Sequence, residues 1–219
     1  MKQIKASHAA FLIYIVLTLP VRSQDGATED YLYSSLKFDR LSLDEGLSQS
    51  IVEGIVQDSQ GFMWFCTEDG LNRYDGYNFD VLRSDPENPT GLSQNHTLAI
   101  IQAVDDKMWI GAFNGGLNMY DPSTEKFTIF RSDPDEPASL PNDMVRVIFE
   151  DEEGNLWIGT DGGLAKMNPR SRTFSNFYHD PRRSTSISNN TIRSICADDS
   201  GRLWIATDNG LNRYEPETN

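Results

Sequence analysis

A chain of 219 residues with 38% apolar content can bury one good core. Its formal charge of -14, from 19 basic and 33 acidic residues, repels a phosphate backbone, and no lysine and arginine stripe offsets it. Composition therefore argues against a nucleic-acid partner.

Taken in chain order, the first element is an export signal. Lys2 and Lys5 precede an apolar run over residues 9–19, followed by Pro20 and Val21-Arg22-Ser23. Charge, a short apolar core and small residues in that order predict cleavage before Gln24, and the run is too short to cross a bilayer. The domain plan is a signal peptide at 1–23, a leader at 24–37 and β-propeller blades over 38–219, ending without a last fourth strand. Residues 38–41 (Phe38-Asp39-Arg40-Leu41) read as a short strand without the three that should precede it, of the kind that closes a propeller ring. Gly46-Leu47-Ser48 follows.

Four copies of one motif come next, centred on Trp64, Trp109, Trp157 and Trp204 at a period of roughly 47 residues. In the fourth copy, Ile192 and Ile195 mark a first strand, and Asp198 to Gly201 make a tight turn. A second strand carries Trp204, and Asn209-Gly210 is a hairpin signal opening a third strand at Leu211. Fourth strands are predicted at 79–83, 127–131 and 174–178. Gly61, Gly154 and Gly201 supply the positive φ of the first turn, whereas the second copy replaces it with Asp105-Asp106-Lys107. Each tryptophan is expected to fill the wedge between adjacent blades.

The predicted fold class is all-β, a β-propeller: four recognisable blades of an incomplete, seven-bladed ring, since closed rings run from about four to eight blades. A four-bladed ring closed by 38–41 is the alternative. Cys66 and Cys196 are expected to be buried and unpaired. These thiols and the scattered His8, His96 and His179 do not make a zinc ligand set, so no metal and no cofactor are expected.

Topology puts the second-to-third-strand turns and the links between blades on one face, the first turns on the other. The first-named face has the varied polar loops on which recognition is expected. Its candidates are Glu68, Asp69, Asn95, Phe113, Asn114, Asp161, Asn190, Asp208 and Asn209. Amides, carboxylates and one exposed aromatic suit hydroxyl-rich ligands such as sugars, although turn formation is the plainer role for each Asn and Asp alone. No catalytic constellation stands out. Asp58, Asp151 and Asp198 recur in register, as structural turn residues do, and Asp199-x-Gly201-x-x-Trp204 resembles a sialidase Asp-box, itself a structural turn.

The sequence from Asp151 to Leu164, DEEGNLWIGTDGGL, resembles the two-component regulator propeller, as does the leader Gly46-Leu47-Ser48-Gln49-Ser50. The resemblance departs at Phe65-Cys66 and at Asp105-Asp106-Lys107. It implies the N-terminal, periplasmic part of a hybrid sensor histidine kinase of the Bacteroidetes type, carrying no catalytic part itself. The implied ligand is an oligosaccharide, and the implied partners are further blades, a kinase region and, when complete, a second copy. A secreted carbohydrate- or protein-binding propeller is the next reading, a propeller lyase or hydrolase the third.

Overall fold

The computed structural model describes residues 37–214. The export signal expected at 1–23 and the leader expected at 24–37, up to residue 36, lie outside the described residues. Residues 37–42 are irregular coil, so the strand expected at 38–41 does not form. A strand is stable only in a hydrogen-bonded ladder, and the described residues offer this segment none. A 3-10 turn at Leu43–Glu45 follows, closed by a capping box between Ser42 and Glu45.

Among the described residues, strands then come in three groups of four and one of three. Blade 1 contains β1 (Val52–Gln57), β2 (Met63–Thr67), β3 (Gly70–Tyr74) and β4 (Phe79–Leu82), and blade 2 contains β5 (Thr97–Gln102), β6 (Met108–Ala112), β7 (Gly116–Asp121) and β8 (Lys126–Phe130). Blade 3 contains β9 (Val145–Glu150), β10 (Leu156–Thr160), β11 (Leu164–Asn168) and β12 (Thr173–Phe177). Blade 4 contains β13 (Ile192–Ala197), β14 (Leu203–Thr207) and β15 (Gly210–Tyr214). Each blade is an antiparallel meander in chain order, and the first strands of neighbours touch, β1 with β5, β5 with β9 and β9 with β13. That is the radial arrangement of propeller blades. Strand ends match the expected ones to within about a residue, the ordinary uncertainty of such boundaries.

The tryptophans are the wedges. Trp64 packs among Ile100, Met108, Ile110 and Tyr120 of blade 2, Trp109 among Val145, Ile148, Ile158 and Met167 of blade 3, and Trp157 among Ile192, Ile195 and Ile205 of blade 4. All three are 1% exposed. Trp204 points away from blade 3 and is only partly buried. The same orientation explains Cys196. Its counterpart Phe149 packs against blade 4, but Cys196 is exposed, contrary to the expected burial. Cys66 is buried and free as expected, and burial pushes its thiol up to about 12.

Two residues after the tryptophan, volume is balanced across the ladder in blades 1 and 3. Gly159 faces Val147, and a Cβ there would sit 2.5 Å from Val147 and 2.6 Å from Ile192 of the next blade. Blade 1 reverses the volumes, with Cys66 opposite Gly54. The departure at Cys66 is thus offset by its partner, and packing density is kept.

Candidate functional site

The face carrying the first-to-second-strand turns is nearly the same in every blade. Asp58 Oδ1 accepts the backbone N–H groups of Gln60 and Phe62 at 3.0 and 2.9 Å, and its Oδ2 accepts the indole N–H of Trp64 at 2.8 Å. Asp151 does the same for Glu153, Asn155 and Trp157, and Asp198 for Ser200, Arg202 and Trp204. Each of these three tryptophans is therefore bonded within its own blade rather than to its neighbour. Burial pushes the Asp151 carboxyl up, but the Asn155 and Trp157 donors outweigh it and hold it below its ordinary value. The Trp204 indole, foremost, holds Asp198 at about 2. Such clamps belong to structure.

Blade 2 breaks the pattern. Ala103 stands where the clamping aspartate should be, and the buried Nε1 of Trp109 has no hydrogen-bond partner. The turn itself survives, because Asp106 takes the glycine position at φ 62, a conformation that short polar side chains tolerate. Gly61 holds the equivalent place at φ 96. Two grooves also open on this face, of about 300 Å³ between the turns of blades 1 and 2 and about 570 Å³ between those of blades 3 and 4. They occupy serially equivalent seams, as packing features do.

The opposite face gathers the β2–β3, β6–β7, β10–β11 and β14–β15 turns with the links between blades. Gly70 N–H donates to the Asn95 carbonyl at 2.8 Å, Phe113 N–H to His96 at 2.9 Å and Asp208 N–H to Thr191 at 3.1 Å. The candidates Glu68, Asp69, Asn95, Phe113, Asn114, Asp161, Asn190, Asp208 and Asn209 all lie on these turns and links. Several already hold structural partners. The Asn95 and Asn190 amide oxygens each accept a backbone N–H at 2.7 Å, from Ser84 and His179. Arg83 pairs with Asp69 and holds its carboxyl below the usual range. Asn114 adopts φ 53, and Phe113 is 40% exposed and stacks on His96 with ring centroids 4.9 Å apart.

One position on this face recurs in every blade and was not singled out in the sequence. The first strand bulges at Glu53, Leu98, Arg146 and Arg193, each left unpaired where the register shifts. A bulge re-aims its side chain out of the pleat. In blades 3 and 4 the re-aimed side chain meets the tip of the next turn. Arg146 binds both carboxylate oxygens of Asp161 through the Nε and Nη2 edge of its guanidinium, its Nη2 at 2.9 Å, and Arg193 binds Asp208 likewise at 3.0 Å. Arg193 holds the Asp208 carboxyl below its ordinary value. The corresponding pairs are Glu53 with Glu68 in blade 1 and Leu98 with Phe113 in blade 2. A uniform scaffold thus presents an acidic, an apolar and two zwitterionic pairs side by side.

A second device was also missed. Ser48 N–H donates to the Asn72 side-chain oxygen at 2.9 Å, Ser93 to Asn118 at 3.0 Å and Ser188 to Asn212 at 2.9 Å, latching each link to its own third strand. Blade 3 has Pro141 and Ala165 at these places. Proline has no N–H to satisfy, so the acceptor is dispensable there. Aligning the copies column by column exposes both substitutions at once.

Metal-ligating groups also meet here. Glu53, Glu68 and His96 bring a ligand atom each within 4.8 Å of one another, the one such cluster of three among the described residues. The scatter of histidines and thiols along the sequence did not foretell it, because carboxylates complete the set.

Comparison with known proteins agrees with this anatomy. Residues 46–69, 139–162 and 186–209 match the repeat described as two component regulator propeller. Each match runs from the link before a blade to the tip of its second turn, and the matched blades are the three with the aspartate clamp. A 49-residue stretch, 22% of the chain, is 49% identical to Histidine kinase P4 of Formosa agariphila and covers 4% of that protein. Among solved structures, the extracellular domain assigned to a hybrid two component system of B. thetaiotaomicron superposes with a TM-score of 0.63, at 24% identity over 82% of this chain and 30% of that one. One assigned to a one component system of the same organism gives 0.66, at 23% identity over 84% and 27%. Virginiamycin B lyase from Staphylococcus aureus gives 0.53 at 12% identity over 78% and 57%. The chain spans only a fraction of the length of each.

Proposed function

From the premise that this chain is a β-propeller of two component regulator repeats, we propose that it is the exported ligand-sensing part of a membrane-bound sensor histidine kinase and that it recognises an oligosaccharide. The observation that carries the reading is the contrast between its faces. Aspartate clamps repeat on one, while the bulge-and-tip pairs on the other change chemistry from blade to blade. Variation on a fixed frame is how a scaffold acquires specificity. The exposed Phe113 offers an apolar platform for a sugar ring, and the neighbouring carboxylates and amides offer hydroxyl partners. A net charge of -14 favours neutral over sulfated or uronic chains.

In this reading the export signal at 1–23 carries the propeller outside the cytoplasm, further blades and signalling segments belong to the same polypeptide, and a second copy relays binding inward. Calorimetric titration of the full chain with a panel of soluble neutral and acidic oligosaccharides tests it. A neutral member should bind, and Phe113→Ala should weaken it about tenfold, or 1.4 kcal/mol. Binding of no member, or turnover of one, contradicts the proposal. The likeness to a lyase establishes shared architecture alone.

A further inference from the structure

We propose that Glu53, Glu68 and His96 form a divalent transition-metal site at the seam of blades 1 and 2, suited to zinc. Three observations meet there. The first is the ligand set itself, two carboxylates and an imidazole with donor atoms within 4.8 Å of one another. Zinc accepts N and O ligands at about 2 Å, which sets ligand atoms roughly 3–4 Å apart, a contraction within reach of side-chain rotation by the two exposed glutamates. Imidazole in the set favours a transition metal over calcium, which takes oxygen ligands.

The second is a missing positive charge. In blades 3 and 4 the bulge residue is an arginine that neutralises the acid at the turn tip, Arg146 for Asp161 and Arg193 for Asp208. Blade 1 has Glu53 at the bulge, so two carboxylates share a place that elsewhere holds one carboxylate and one guanidinium. Like charges this close repel, and a cation between them restores the balance seen in the other blades.

The third is the placement of His96. Its Nε2 is buried and has no hydrogen-bond partner, an unusual state for a polar atom. The residue is also held from both blades. Phe113 N–H donates to its carbonyl, Gly70 N–H donates to the carbonyl of Asn95 beside it, and the Phe113 ring stacks on the imidazole with an angle of 2° between the ring planes. Ligands fixed by outer contacts in this way bind metal with little rearrangement. Water completes the coordination from the open side of the face.

Equilibrium dialysis of the full chain against zinc ion alone, with metal counted by atomic emission, tests the site. The wild-type chain should hold one zinc ion more than Glu53→Arg, which installs the arginine of blades 3 and 4. His96→Ala should weaken that ion by at least about tenfold, the smallest loss typical even of outer-shell partners. His179→Ala should retain it. Glu53→Arg should melt no lower than wild type without metal, which separates loss of the ion from loss of the fold. Equal zinc content in wild type and Glu53→Arg, or an ion indifferent to His96→Ala, overturns the proposal.

Discussion

Blades 2 and 3 bury a tryptophan equally well but support it differently. Trp157 gives its indole N–H to Asp151 at 2.9 Å and sits among the side chains of blade 4. Trp109 is just as deep, yet Ala103 offers it nothing and its Nε1 is orphaned. The fold tolerates the loss, so the wedge, an apolar side chain filling a seam, matters more than the clamp that orients it. The same two blades also differ on the opposite face, where Leu98 and Phe113 replace the Arg146–Asp161 pair. Departures in blade 2 thus fall on both faces, while its seam contacts stay intact.

The strongest way to break that comparison is to remove a wedge. Trp157→Ala should cost about 3–5 kcal/mol in urea unfolding, as large-to-small changes of buried aromatics do, whereas the half-buried Trp204→Ala should cost clearly less. Equal losses would show that burial in the seam is not what the tryptophans contribute. A smaller effect sharpens the role of the clamp. Ala103→Asp should give Trp109 its acceptor and raise stability by about 1 kcal/mol, with the indole proton of Trp109 moving downfield in the NMR spectrum. An unshifted indole proton would mean that the blade 2 turn holds its aspartate elsewhere.

The gentlest probe is acid. Trp204 above all holds the folded Asp198 carboxyl at about 2, against an ordinary 3.8, so the unfolded chain binds its proton more readily. Its contribution is complete above about pH 4 and is lost as pH falls toward 2. Thermal melts of Asp198→Asn should therefore lie below wild type at neutral pH and converge with it at the acid end. Parallel curves at every pH would contradict the clamp.

What could be read in advance was whatever repeats. The tryptophan period, the Asp and Gly turns and the Asn209-Gly210 hairpin signal located the three strands of the fourth blade and the fourth strands of the other blades closely, because each is a local choice of backbone. The segment at 38–41 misled because strand propensity without a ladder partner is not a strand. Cys196 misled because its burial depends on what packs against that side of blade 4. The loop face proposed for recognition was legible as a face, and Phe113 and Glu68 lie on it. The pairing of Glu53 with Glu68 was not, since it depends on a bulge, and bulges leave no mark in composition. Arg146–Asp161 and Arg193–Asp208 share one separation in the chain, which was the available signal. His96 reaches the glutamates only through blade-to-blade packing, which no single copy encodes.

The division of labour between the faces is tested most directly by measuring oligosaccharide affinity and melting temperature together on two variants of the full chain. Phe113→Ala should lose about tenfold in affinity for the best-bound neutral oligosaccharide and keep its melting temperature. Asp198→Ala should lower the melting temperature and leave the affinity unchanged. The opposite assignment, with the turn-face variant losing ligand and the Phe113 variant losing only stability, would contradict the account.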